Sequence, residues 1–148
     1  MMSFEQYERT LQRFSEMLEH WRTVERSSPS DRLVLEAARE ALIQRFEYLV
    51  ESSWKTCKKL LLETEGYSGE IGPKSLFRLA GGVGLLDTEK WIAFWDARLA
   101  TSHDYDENKS LRLLSFADEL EKKARLLLEA MRLKQASAGA QGDANAAR

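Results

Sequence analysis

Residues 35–66 read LEAAREALIQRFEYLVESSWKTCKKLLLETEG, and this stretch decides the fold. Its apolar and small residues recur at helical spacing along two separate stripes. The first stripe consists of Leu35, Ala38, Leu42, Leu49, Ser53 and Leu60. The second consists of Ile43, Phe46, Val50, Trp54, Cys57 and Leu61. A helix with two apolar faces has neighbours on both, so we expect this helix to be central in a bundle.

The segment before the central helix also has helical periodicity. Six large apolar residues lie on one stripe at spacings of three and four, namely Phe4, Tyr7, Leu11, Phe14, Leu18 and Trp21. This first helix is expected to end before Pro29, because a proline disfavours the helical conformation of the residue that precedes it. Ser30 or Asp31 can then cap the central helix, which is expected to end near Gly66.

The segment after the central helix is also predicted to be helical. A loop over residues 66–73 leads to a short helix from about Lys74, which Gly81–Gly84 should end. Another helix contains residues 91–98, and a long one is expected over residues 107–134. The sequence therefore predicts an all-α, up-and-down bundle of four main helices plus one short helix. We expect one domain over residues 1–134, followed by a tail over residues 135–148 that is disordered or extends the last helix.

Composition narrows the function classes. The 148 residues fit one domain, and 22 Lys and Arg against 24 Asp and Glu give a net charge of −2, without a global attraction to nucleic acid. Cys57 is the only cysteine, which excludes an internal disulfide or a cysteine-based zinc cage, and two histidines offer little for a metal site. No cofactor is expected. Neither a signal peptide nor an apolar run of ~20 residues is present, so we expect a cytoplasmic protein without a membrane anchor.

The segment around Arg98 and His103 carries the chemistry. These two residues are five apart, which is ~140° around a continuous helix. Thr101 and Ser102 compete for backbone hydrogen bonds, so we expect a helix break that lets Arg98 and His103 reach one cavity at a helix–helix junction. Spacing alone favours a simpler alternative, in which the two residues cap helix ends and pair with Asp96, Asp104 or Asp106.

This segment resembles the signature of a known family. Arg98, four intervening residues, His103, one residue and Tyr105 are similar to the motif of HEPN-domain proteins. The resemblance is closest to the HEPN toxin that accompanies a minimal nucleotidyltransferase antitoxin, a group also described as nucleotidyltransferase substrate-binding proteins. Three further blocks resemble this family in order and spacing, namely residues 43–48 with 54–55, residues 91–96 and residues 101–107. The similarity extends over about residues 4–133.

The resemblance implies a toxin that dimerises and cleaves RNA without a metal ion. Arg98 and His103 would be the catalytic pair. Tyr105 would accept AMP from a cognate nucleotidyltransferase, which neutralises the toxin. The candidate supporting residues are Asp96, Ser102 and Asp104. The expected partners are a second copy of the chain, the nucleotidyltransferase antitoxin and an RNA substrate.

The chemistry of these residue types agrees with the roles that the resemblance implies. Histidine can accept or donate a proton near neutral pH, and arginine remains charged and binds phosphate oxygens through a forked donor. One chain supplies a single motif histidine, and a symmetric dimer would supply two. Leu99 follows the arginine where many family members have asparagine, and leucine cannot form the hydrogen bonds of an amide. This difference favours an alternative, a non-catalytic substrate-binding subunit of a nucleotidyltransferase.

Other polar features are weaker candidates. The basic group Arg45, Lys55, Lys58 and Lys59 could contact RNA or the antitoxin, or could form an ion-paired surface with Glu47 and Glu51. Glu51 and Lys55 have the favourable i,i+4 order. His20 is expected to be solvated, and Cys57 is expected to be a small core residue.

Overall fold

The computed structural model describes residues 1–103 and 107–146, with side chains at all of these positions except 99–103, 107, 109 and 143–146. The regular structure in the described ranges is entirely α-helical, which confirms the predicted fold class. The helices are α1 (Glu5–Ser27), α2 (Arg32–Glu65), α3 (Pro73–Gly82), α4 (Thr88–His103), α5 (Glu107–Ser115) and α6 (Ala117–Ala146). No helix within these ranges is long and apolar enough to cross a membrane.

Helix α2 is central, as its two stripes predict, because it contacts every other helix of the described chain. Its first turn is capped by Asp31, whose carboxylate accepts a hydrogen bond from the Val34 amide at 3.2 Å. The helix ends at Gly66, whose φ of 71° lies in the left-handed region that glycine adopts without strain. Both predicted ends of the central helix are therefore confirmed.

The core joins α2 to its neighbours through aromatic side chains. Phe46 of α2 makes edge-to-face contacts with Phe14 of α1 at 6.2 Å and with Phe94 of α4 at 6.4 Å between ring centroids. Phe94 in turn meets Phe116 at 6.0 Å. Edge-to-face pairs at these separations are favourable beyond the area that they bury. This series of rings fixes α4 against α2, and thereby the position of Arg98.

The predicted last helix is divided in two at Phe116. The Ser115 hydroxyl donates to the Arg112 carbonyl at 2.5 Å, and the Phe116 amide donates to the Leu113 carbonyl at 3.0 Å, as in a tight turn. The turn separates α5 from α6 and places the Phe116 ring against Phe94. The prediction of one continuous helix over residues 107–134 is therefore wrong, because an i,i+3 turn replaces the helical hydrogen bond at Phe116.

Helix α6 extends beyond Lys134 to Ala146, so residues 135–146, for which the sequence left open a disordered tail or a helical extension, are helical here. The start of this extension has contacts with the rest of the bundle. Lys134 pairs with Glu65 at the end of α2 at 2.5 Å. The Gln135 amide donates to the Met2 carbonyl at 3.2 Å and accepts from the Met2 nitrogen at 3.1 Å.

Helix α4 differs from the expectation near its end. The sequence predicted a break between Arg98 and His103, but α4 is continuous from Thr88 to His103. The expected break is therefore wrong, since the backbone keeps its helical form through Thr101 and Ser102. His103 is the last residue of α4, and α5 begins at Glu107, so the histidine does lie at a helix–helix junction.

Candidate functional site

Arg98 lies on α4 at the boundary with α2, and its guanidinium is held from two sides. Nη2 lies 2.8 Å from Oε2 of Glu51, and the guanidinium carbon lies 4.6 Å from the centroid of the Trp95 ring. The side chain of Arg98 is 23% exposed. Stacking on an aromatic ring and pairing with a carboxylate both restrict a planar guanidinium. Arg98 is therefore a positioned cation whose side chain is partly exposed.

Glu51 on α2 joins two cations. Its Oε2 contacts Arg98, and its Oε1 lies 3.0 Å from Nζ of Lys55. Lys55 is four residues further along the same helix, in the favourable order for a pair on one helix face. One carboxylate thus holds two positive charges, one on α4 and one on α2.

Tryptophan side chains line the contact between α2 and α4. Trp54 and Trp95 meet edge to face, with 6.2 Å between ring centroids. Lys58 lies over the Trp54 ring at 5.7 Å. Both rings are half-buried and pack against the core. We conclude that these tryptophans form a rigid wall beneath Arg98 and do not form an open surface for stacking bases.

The candidate supporting residue Asp96 points to another helix. Its carboxylate lies 2.9 Å from Nζ of Lys74 on α3. Asp96 and Arg98 are two positions apart, ~200° around α4, so their side chains leave the helix on nearly opposite sides. The structure therefore places Asp96 at the α3–α4 contact and Arg98 at the α2–α4 contact.

The remaining motif residues are placed only in part. His103 and Ser102 belong to the last turn of α4, where the backbone but not the side chains is described. The supporting residue Asp104 and the expected AMP acceptor Tyr105 lie outside the described residues. Within one helix, Arg98 and His103 are ~140° apart and about 7.5 Å apart along the axis.

Glu51 is the residue that the sequence did not assign to the site. The sequence indicated Glu51 only as a partner of Lys55 on the same helix. Its second contact is with Arg98, 47 positions further along the chain. Helical periodicity in a single sequence cannot predict a contact between residues so far apart. One indirect indication existed, because Glu51 lies between residues 43–48 and residues 54–55, the two segments of α2 that resemble the family.

Other polar candidates have structural roles. Cys57 is buried, and burial raises the pKa of its thiol to about 12, which makes it a poor nucleophile at neutral pH. His20 is exposed on α1. Among the described residues, no group of three or more His, Cys, Asp or Glu side chains has the arrangement of a metal site.

Comparisons with known proteins place the chain among similar sequences and folds. The family model described as "Nucleotidyltransferase substrate binding protein like" matches residues 2–132. The Haemophilus influenzae protein named "Probable ribonuclease HepT" is 32% identical over 117 residues, which are 76% of this chain and 77% of that protein.

Two solved structures are similar in fold. One is a Haemophilus influenzae protein described as revealing the fold of a substrate-binding domain of a nucleotidyltransferase. It is 25% identical with a TM-score of 0.77, and the match covers 88% of this chain and 99% of that one. The other, from Thermus thermophilus, is 28% identical with a TM-score of 0.63, and the match covers 80% of this chain and 98% of that one.

Proposed function

The chain belongs to the family of nucleotidyltransferase substrate-binding-like proteins, and we propose that it is a HEPN ribonuclease toxin neutralised by a cognate minimal nucleotidyltransferase. In this proposal the protein cleaves RNA in the cytoplasm without a metal ion. The relative named as a ribonuclease supports this activity, and the family description supports a nucleotidyltransferase as partner.

The observation that carries the proposal is the placement of Arg98. Its guanidinium pairs with Glu51 and stacks on Trp95, its side chain is partly exposed, and Lys55 adds a second positive charge at the same carboxylate. A preorganised cation of this kind can bind a phosphate and stabilise the charge that develops on phosphorus. Helix α4 then continues to His103, which supplies the acid–base group.

The reaction needs two proton-transfer groups and one cation. A base accepts the proton of the 2′-hydroxyl, whose oxygen attacks the adjacent phosphorus. An acid gives a proton to the departing 5′-oxygen, which leaves a 2′,3′-cyclic phosphate and a 5′-hydroxyl. Each chain has one motif histidine. A homodimer in which two copies of α4 approach each other supplies both histidines to one phosphate.

An RNA digestion assay with two histidine variants tests the catalytic role. His103→Ala removes the acid–base group, and we expect the loss of RNA cleavage without loss of helical circular dichroism. His20→Ala is the matched control, because it removes the other histidine from an exposed position on α1. If the His103→Ala protein cleaves RNA as fast as the wild type, the catalytic assignment is wrong.

Neutralisation is proposed to occur at Tyr105. This residue follows His103 by two positions, so AMP attached to its hydroxyl would add bulk and negative charge where the RNA phosphate binds. Incubation with the nucleotidyltransferase and labelled ATP should label the wild type and Tyr48→Phe, which changes an exposed tyrosine of α2, but not Tyr105→Phe. Label that persists in Tyr105→Phe would remove this residue from the proposal.

A second candidate function is a non-catalytic substrate-binding subunit of the nucleotidyltransferase. Leu99 favours it, since a leucine after the arginine provides no hydrogen bond to phosphate. The pairing of Arg98 with Glu51 also favours it, because an incoming phosphate must compete with this carboxylate. Labelling of the protein by the nucleotidyltransferase, together with intact RNA after digestion by the unmodified dimer, would select this function.

A further inference from the structure

A groove lined by polar and charged residues lies between α1 and α2 and has a volume of about 570 Å³. Its lining includes Arg13 of α1 and, on α2, Gln44, Arg45, Tyr48, Glu51 and Lys55. We propose that this α1–α2 groove binds the backbone of single-stranded RNA next to the cleaved bond. The inference rests on the proposed ribonuclease function and assigns it an additional substrate-binding surface.

The charges of the α1–α2 groove suit a polyanion. Three lining residues are cationic, Arg13, Arg45 and Lys55, and Glu51 is the single carboxylate among the lining residues. That carboxylate is already paired with Lys55 and with Arg98. The groove therefore has a surplus of positive charge although the whole chain has a net charge of −2. Local charge of this kind attracts phosphate independently of the sequence of the strand.

The spacing of the cations suits several consecutive phosphates. Arg45 and Lys55 are ten residues apart on α2, about 15 Å along the axis at 1.5 Å per residue. A stacked strand has one phosphate per ~3.4 Å, so this length corresponds to about four phosphates. The Ser52 hydroxyl and the Gln44 amide line the same groove and can donate to phosphate or sugar oxygens.

Tyr48 gives the groove an aromatic surface. The residue is 54% exposed, and its hydroxyl accepts a hydrogen bond from the Gln44 amide at 3.0 Å. An exposed ring that is held in place between cations can stack on an unpaired base without preference for its identity. A single-stranded RNA can use both features, because its phosphates pair with the cations and its bases stack on the ring.

Glu51 connects the groove to Arg98. One carboxylate oxygen faces Lys55 in the groove, and the other contacts the guanidinium. A strand in the groove therefore passes next to the cation that is proposed to bind the cleaved phosphate. Phosphates bound by Arg13 and Arg45 would raise the local concentration of the phosphate that competes with Glu51 for Arg98.

Binding of an uncleavable oligonucleotide tests the groove. The probe is a fluorescein-labelled 2′-O-methyl oligouridylate of about 12 nucleotides, which lacks the attacking hydroxyl and fits the size range of single-strand sites. Fluorescence anisotropy is measured between about 50 and 200 mM salt. For Arg13→Gln/Arg45→Gln we expect about tenfold weaker binding and a salt slope smaller by about 1.4, since each lost phosphate contact in a single strand contributes ~0.7.

The control variant loses two positive charges as well, but outside the groove. Arg26→Gln/Arg78→Gln replaces two exposed arginines on α1 and α3, and its affinity should remain close to that of the wild type. Tyr48→Ser should also weaken binding about tenfold through lost stacking, whereas Tyr48→Phe keeps the aromatic ring and should retain most of the affinity.

Three other outcomes would separate a failure of the groove from a failure of the proposed function. If the wild type binds the probe and the groove variants bind equally well, the groove is not the RNA site, and the ribonuclease proposal is unaffected. If the groove variants bind RNA normally but are labelled more slowly by the nucleotidyltransferase, the groove is a protein-docking surface and the inference is wrong. If the wild type neither binds the probe nor cleaves RNA, the proposed function and this inference fail together.

Discussion

Ser53 and Glu51 stand two positions apart on α2 and belong to two contrasting polar clusters. Ser53 is buried, and its hydroxyl donates to the Leu49 carbonyl at 2.7 Å and lies 3.2 Å from the Tyr7 hydroxyl. Tyr7 in turn donates to the Ala124 carbonyl of α6 at 3.0 Å. Glu51 is half-buried and contacts two cations at the surface.

The two clusters differ in charge as well as in burial. The Ser53 cluster is neutral and its hydroxyls are hydrogen-bonded inside the core, as buried polar groups need to be. The Glu51 cluster retains charge and reaches solvent, so its members can exchange partners with a ligand. We infer that the inner cluster stabilises the bundle and that the outer cluster serves function. Substitutions in the inner cluster should therefore change the stability, and substitutions in the outer cluster should change the activity.

The largest expected effect comes from the outer cluster. Arg98→Lys retains the charge and can still pair with Glu51, but loses the planar fork and the stacking on Trp95. We expect the kcat for RNA cleavage to fall by about 10²–10³-fold, similar to the loss of one preorganised donor at a developing oxyanion. Steady-state cleavage of a labelled RNA measures the change.

The control for this variant is Arg26→Lys, which makes the same substitution at an exposed end of α1. Its kcat should equal that of the wild type, and neither variant should shift the midpoint of urea unfolding by much. An Arg98→Lys protein with unchanged kcat would show that the fork of Arg98 has no part in cleavage.

The inner cluster should affect stability instead. Tyr7→Phe removes the hydroxyl that links α1 to the Ala124 carbonyl and to Ser53. We expect the free energy of unfolding to fall by about 1–2 kcal/mol, as for other buried hydrogen bonds, with kcat unchanged. Urea unfolding followed by circular dichroism measures it. Tyr48→Phe removes an exposed tyrosine hydroxyl and should change stability far less, so equal losses in the two variants would contradict the contrast.

The sequence predicted the buried Ser53 cluster better than the surface cluster around Glu51. The stripes of α2 placed Ser53 in the core, and Asp31 and Gly66 predicted the ends of the helix, because burial and capping follow local periodicity. The pairing of Glu51 with Arg98 depends on how α4 packs against α2. No local pattern encodes that contact.

The break at Phe116 was missed for a related reason. Residues 107–134 keep helical periodicity across it, and the turn arises where the ring of Phe116 packs against Phe94 of another helix. The family motif supplied Arg98 and His103 as a pair, but their expected convergence required a helix break that α4 does not have. Motif spacing therefore identified residues, while tertiary packing determined the contacts of Arg98.

Alkaline pH offers a second test of the inner core. Burial raises the pKa of the Cys57 thiol from an ordinary value of 9.0 to about 12, and burial also raises the pKa of Tyr7. Above pH 9 the unfolded chain loses the thiol proton and the folded chain retains it, so stability falls as the pH rises. One such group gives a slope of up to ~1.4 kcal/mol per pH unit.

Urea unfolding at several pH values between about 9 and 10 measures this slope, and Cys57→Ala should reduce it. The alanine variant is less stable at neutral pH because it removes buried volume, so the comparison is between slopes and not between stabilities. Equal slopes for the wild type and Cys57→Ala would show that the thiol ionises as readily in the folded chain as in the unfolded one.

The smallest expected effect separates two roles of Glu51. Glu51→Gln keeps the shape of the side chain but removes the charge that Arg98 and Lys55 share. The added net positive charge should lower the KM for RNA about fivefold, and the less firmly held guanidinium should lower kcat by about the same factor, each ~1 kcal/mol. Because the two changes oppose each other, kcat/KM should hardly change.

The control is Glu63→Gln, which removes an equal charge from an exposed position of α2 and should leave both constants unchanged. A Glu51→Gln protein with a lower KM and an unchanged kcat would mean that Glu51 only competes with RNA, and that Trp95 alone suffices to position Arg98.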